Sequence, residues 1–142
     1  LVGEQDGVEI VDAVPPGLPK VLIERQGTVN VFQELVVNGL KAVRRREGLR
    51  RIEISGGISV DQCVELRFSN TGPLLPEERW DAIFEQFTTF DSDVDEESFG
   101  LGLWAARAFL RRQGGDIQVL ESNDAKTTFI VRLPTSNQGG ER

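Results

Sequence analysis

Apolar residues recur along this chain with two different periods, and the changes of period outline its elements. Up to residue 24 the pattern alternates weakly. Val8, Ile10 and Val14 form one segment, and Val21, Leu22 and Ile23 another after the Pro15-Pro16-Gly17 break. Alternation bounded by turn residues predicts two short strands. From about Thr28 to Glu47 the period lengthens: Val29, Phe32, Val36, Leu40 and Val43 fall at three- and four-residue steps. One face of a helix is therefore apolar. Glu34, Asn38, Lys41 and Arg45 keep the same step on a different face, and Gly48 is placed to stop the helix.

Alternation then returns. Ile52 and Ile54 within Arg51–Ser55, and Val64, Leu66 and Phe68 within Cys63–Ser69, predict an antiparallel pair. The turn Asn70-Thr71-Gly72-Pro73 ends the second strand, and Pro76 with Glu77 and Glu78 opens a short helix running to Phe84. Five acidic side chains within Asp91–Glu97 make a loop, expected as a lid, with Phe84, Phe87 and Phe90 as core or lid anchors. A helix follows Gly100-Leu101-Gly102-Leu103 and stops at Gly114-Gly115, and strands Ile117–Glu121 and Thr128–Leu133 close the pattern. This order predicts an α+β fold, a two-layer sandwich of a mixed, mainly antiparallel sheet with helices on one face. It occupies residues 1–134, and residues 135–142 form a disordered polar tail.

Composition narrows the setting. The chain contains neither methionine nor histidine, so it is expected to be a piece of a longer protein. It lacks the commonest general base and any phosphohistidine acceptor. A net charge of −7 argues against nucleic-acid binding, which needs a basic footprint. A single cysteine, Cys63, excludes an internal disulfide and fits a reducing, cytoplasmic setting. No apolar run is long enough to span a bilayer, so no membrane contact is expected from this piece, although a parent protein can carry an anchor.

Three segments carry candidate chemistry. Glu34 and Asn38, four residues apart, share a helix face with Lys41 one turn on. An Asn oxygen can complete a Mg²⁺ shell of phosphates and waters, a carboxylate can polarise a nucleophile, and a lysine can balance phosphate. A solvated face with a Glu-to-Lys pairing accounts for the same residues. Asn70 at the strand end can hydrogen-bond a base edge, with Gly72 permitting close approach, or can simply form an Asx turn. Gly100 and Gly102 before a helix can turn backbone N–H groups toward phosphate, or can form a flexible loop.

The ordered set is more specific than any member. Glu34-Leu35-Val36-Val37-Asn38-Gly39-Leu40-Lys41-Ala42, Asn70-Thr71-Gly72-Pro73, Ile83-Phe84-Glu85-Gln86-Phe87-Thr88-Thr89 and Gly100-Leu101-Gly102-Leu103 resemble the four nucleotide boxes of the GHKL superfamily. Gly114-Gly115-Asp116-Ile117 and Thr127–Pro134 resemble the closing hairpin of its histidine-kinase branch. The resemblance covers about residues 8 to 134.

It implies the Bergerat ATP-binding fold and the catalytic domain of a sensor histidine kinase. Such a domain transfers the γ-phosphate of ATP to a histidine outside this chain, on a dimerisation domain of the parent protein. A response-regulator receiver domain is the implied downstream partner. Asn38 would hold Mg²⁺, Lys41 would approach the phosphates and Glu34 would stand at the general-base position. Gly100, Leu101, Gly102 and Leu103 would hold phosphate, Asn70 with Gly72 would read the base, and Thr127 would support it. The family pattern opens its first glycine box with Asp where Asn70 stands, and Leu74, Ser98, Phe99 and Lys126 also depart from it. Such departures admit a pseudokinase module as the alternative, as the Glu34 position admits an ATP-hydrolysing relative. An amide at position 70 can donate as well as accept, so selectivity for adenine over guanine is expected to relax.

Overall fold

In the computed structural model, which describes residues 2–5, 7–45, 47–85, 102–123 and 125–135, both periods become regular elements. The strands are β1 (Val2–Gln5), β2 (Val8–Ala13), β3 (Arg51–Ile58), β4 (Val64–Asn70), β5 (Asp116–Asn123) and β6 (Lys126–Leu133). The helices are α1 (Arg25–Arg44) and α2 (Gly102–Arg112). The strands form one sheet in the order β1-β2-β3-β4-β6-β5. Its one parallel pair is β2 with β3, and α1 lies in the crossover that a parallel pair requires. The fold is the expected mixed, mainly antiparallel α+β sandwich.

The core lies between the sheet and the two helices. Strand β4 turns Val64, Leu66 and Phe68 inward, and β6 answers with Phe129, Val131 and Leu133. Val31 and Leu35 of α1 and Leu103, Ala106 and Leu110 of α2 complete it. A second cluster of Val8, Val43 and Ile52 packs the far end of α1 onto β2 and β3.

Several elements differ from expectation for identifiable reasons. Helix α1 starts three residues early because Glu24 caps it, its carboxylate accepting from the Gln26 and Gly27 N–H groups at 2.9 and 2.6 Å. Its buried row is Val31, Leu35, Gly39 and Val43, whereas Val29 is exposed. The row is rotated because Gly39 is hidden by contact: a Cβ there would lie 3.2 Å from Ile52 Cδ1. No strand forms at Val21–Ile23. Val21 makes an isolated antiparallel bridge to Thr135, and Leu22 N–H donates to Pro134 O at 2.8 Å. Pro134 has no N–H to return, so the ladder stops there. Thr135, expected to open the disordered tail, is instead buried, and its Oγ1 donates to Gln62 O at 2.8 Å. The helix expected from Pro76 to Phe84 is two 3₁₀ turns, Glu77–Arg79 and Ala82–Phe84. The acidic run, Phe87, Phe90, Gly100, Leu101 and residues 136–142 lie outside the described residues.

Candidate nucleotide site

The inward row of β4 ends on a polar residue. Asn70 follows Phe68 at the next core-facing position and is 8% exposed. Its Oδ1 accepts the Gly72 N–H at 3.0 Å, which closes the turn after the strand. Opposite it in the β4–β6 register stands Thr127, which is also buried. Thr127 Oγ1 and Ser122 Oγ share a hydrogen bond of 2.6 Å. Ser122 Oγ also accepts the Leu75 N–H at 2.6 Å, tying the segment beyond the turn to β5. The turn presses on α1: a Cβ on Gly72 would sit 2.8 Å from the Ala42 carbonyl oxygen. Only a residue without a side chain fits that approach.

Asn70 and Thr127 open into a cavity of about 270 Å³ that Asn38 and Ala42 of α1, and Arg45 just past its end, line on one side. Leu75 and Arg79 line it from the connection after β4, Leu103 from α2 and Phe129 from β6. An apolar floor with few polar groups at its rim suits a flat ring that needs orienting. Trp80 Nε1 donates to Leu75 O at 2.9 Å and helps fix that wall.

Glu34 lies one turn before Asn38 on α1 and faces an adjoining hollow that Gly102 and Ala105 also line. The Glu34 carboxylate lies against Gly102, in the space a side chain there would occupy. Burial pushes its carboxyl above the ordinary value of 4.5, and the Lys41 charge partly opposes the shift. A half-buried carboxylate with a raised pKa beside a cation is suited to taking up a proton.

Of the residues expected from sequence, Asn38, Asn70, Leu103 and Thr127 share one cavity, and Glu34 meets Gly102 beside it. Gly72 supports the cavity through the turn, and Lys41 acts on Glu34 electrostatically. Gly100 and Leu101 fall outside the described residues. Ala42, Leu75, Arg79 and Phe129 were not anticipated. Ala42 was within reach, because it is four residues beyond Asn38 and so on the same helix face. Arg79 was not, since its position depends on the 3₁₀ turns.

A metal would have few protein donors here. Among the described residues no group of three or more Asp, Glu, Cys or His could hold an ion. One amide oxygen from Asn38 at the cavity rim fits a Mg²⁺ ion held mainly by phosphate oxygens and water.

A polar-rimmed cavity at the strand ends of a mixed sheet, roofed by two helices, defines the class of GHKL nucleotide-binding domains. The family of histidine kinase-, DNA gyrase B- and HSP90-like ATPases matches residues 24–137, and the chain belongs to it. Its relatives are sensor kinases, which places it with the catalytic domains of the histidine-kinase branch. Sensor protein VanS of Enterococcus faecium is 42% identical over 106 residues, 73% of this chain and 26% of that protein. Adaptive-response sensory kinase SasA of Microcystis aeruginosa is 31% identical over 121 residues, 85% of this chain and 31% of that protein. The catalytic domain of histidine kinase ThkA superposes with a TM-score of 0.72 at 26% identity, covering 89% of this chain and 77% of that one. The chain thus spans less than a third of the length of these two curated relatives. No helix among the described residues is long and apolar enough to cross a membrane.

Proposed function

We propose that this chain is the phosphate-donating part of a sensor histidine kinase. It binds ATP in the cavity and presents the γ-phosphoryl group to a histidine outside the chain. An imidazole nitrogen of that histidine forms the new N–P bond as the bond from phosphorus to the ADP oxygen breaks, and ADP leaves. The acceptor belongs to a histidine-bearing dimerisation domain of the parent protein, and a response-regulator receiver domain takes the phosphoryl group next. The supporting observation is convergence: Asn38, Asn70, Leu103 and Thr127 come from four separate elements and meet in one cavity.

Each residue has a defined task in this reading. Asn70 and Thr127 orient the base over Leu103 and Phe129. Asn38 supplies its amide oxygen to Mg²⁺, which when bound neutralises phosphate charge. Lys41 balances further phosphate charge, and backbone N–H groups of Gly102 and Leu103 at the start of α2 cradle the phosphates, the task that the family resemblance also gives to Gly100 and Leu101. Glu34 accepts the proton from the attacking imidazole, a role that its burial-raised pKa supports. Positioning does the larger part of the work, as in other phosphoryl transfers.

Calorimetric titration with ATP and Mg²⁺ tests the reading. Saturable, metal-dependent binding is expected, and its absence overturns the proposal. The same Glu34 carboxylate would serve equally on water. Steady phosphate release by the isolated chain, lost in Glu34→Ala, would identify an ATP-hydrolysing domain instead.

A further inference from the structure

Arg107 of α2 is mostly buried, and its Nε has no hydrogen-bond partner among the described residues. Asp116 Oδ1 stands 3.8 Å from that nitrogen. The Asp116 carboxylate is already engaged, accepting from Arg111 Nε at 3.0 Å, Ile117 N–H at 2.8 Å and Gln118 Nε2 at 3.3 Å. What the Arg107 guanidinium does meet is an aromatic face, its Cζ lying 4.3 Å from the centroid of the Phe84 ring. A buried cation with an unpaired donor costs stability, and an apolar side chain of similar size packs there at less cost. A cation over a ring is, by contrast, a directional contact that restrains the ring beneath it.

The restrained ring backs the nucleotide cavity. Phe84 meets Phe129 edge to face, with ring centroids 6.3 Å apart and planes at 82°. Phe129 and Leu103 line the cavity, whereas Phe84 is buried in the core beside them. Leu103 lies four residues before Arg107 on α2, so the two project from one face of that helix. Guanidinium, Phe84 and Phe129 thus follow one another toward the cavity.

Resting on the nucleotide reading above, we propose that Arg107 is a positioning residue for this site. Its guanidinium holds the Phe84 ring at its angle to Phe129, and so fixes the apolar wall against which the ring of the nucleotide lies. Arg107 acts through two aromatic side chains and not on the ligand itself. Affinity and stability should therefore separate when its charge is removed.

The test is calorimetric titration of the parent chain and Arg107→Leu with ATP and with ADP, both in Mg²⁺, paired with thermal melts. Arg107→Leu is expected to bind both nucleotides about three- to tenfold more weakly. Its melting temperature is expected to stay within a few degrees of the parent, because the lost contacts are offset by relief of a buried charge. Arg107→Lys keeps a cation over the ring and is expected to recover most of the affinity. In a Phe84→Leu background Arg107→Leu is expected to cost no further affinity, since the ring it acts through is gone. Unchanged affinity in Arg107→Leu overturns the proposal and leaves the nucleotide site standing. A loss confined to ATP overturns it too, because the guanidinium then acts on the γ-phosphate. A melt far below the parent, or no recovery in Arg107→Lys, gives Arg107 a merely structural role and is equally fatal. A parent chain that binds neither nucleotide defeats this inference and the nucleotide reading together.

Discussion

Asn70 and Thr127 stand directly opposite one another across β4 and β6, each at the end of a row that is otherwise core. Two apolar stripes thus finish on two hydrogen-bonding groups, and the place where the core gives way to polar chemistry is the rim of the cavity.

Removing one of the two should separate binding from folding. Thr127→Val keeps the shape and deletes the hydroxyl shared with Ser122. Nucleotide affinity is expected to fall several-fold, corresponding to about 1 kcal/mol. Calorimetry measures the affinity, and a thermal melt within a few degrees of the parent confirms an intact fold.

Asn38→Ala should act on the metal and spare the base. The variant is expected to bind nucleotide equally with Mg²⁺ or with a chelator, whereas the parent binds better with the ion. Paired titrations in the two buffers read the difference directly.

Gly72→Ala tests the contact between the turn and α1. The new methyl would meet backbone atoms of Ala42, which cannot rotate away as a side chain could. A loss of roughly 1–3 kcal/mol is expected. Gly57→Ala is the control, because a Cβ there meets nothing within 4 Å. Urea denaturation of both variants should show a lower midpoint only for Gly72→Ala.

Glu34 predicts a pH dependence of definite sign. Burial raises its carboxyl above 4.5, so the folded chain holds this proton more tightly than the unfolded chain. Below the ordinary value both states are protonated and no penalty exists. As pH rises through the raised folded value, the buried charge subtracts from stability. Glu34→Gln should therefore melt at a higher temperature than the parent at neutral pH, with the gap closing as pH falls below 4.5. Thermal melts across that range measure it.

What the sequence revealed and concealed follows from the range of the forces involved. Strand alternation in Val64–Phe68 and the polar series on α1 are local patterns, and both were legible. The exact buried face of α1 was not, because Gly39 is hidden by the approach of Ile52 rather than by its own hydrophobicity. The N-cap was missed because Glu24 is a less usual capping residue than Ser, Thr, Asp or Asn. Within the site, residue types and spacing were enough to nominate Asn38 and Asn70, and the family resemblance added Thr127. The amide orientation of Asn70 could not be read from sequence, since it depends on where the Gly72 N–H points. Arg79 and Phe129 join the cavity only through the path of the chain in three dimensions.

The bridge from Val21 to Thr135 and the bond from Leu22 to Pro134 hold the segment that enters α1. Their partners are more than a hundred positions downstream. A chain emerging from the ribosome therefore makes the helix of Glu34, Asn38 and Lys41 early, but cannot anchor its entry until residue 135 is free. Ligand binding should mature only once residue 135 has been made, and a nascent chain halted at residue 130 should carry the helix without its anchor.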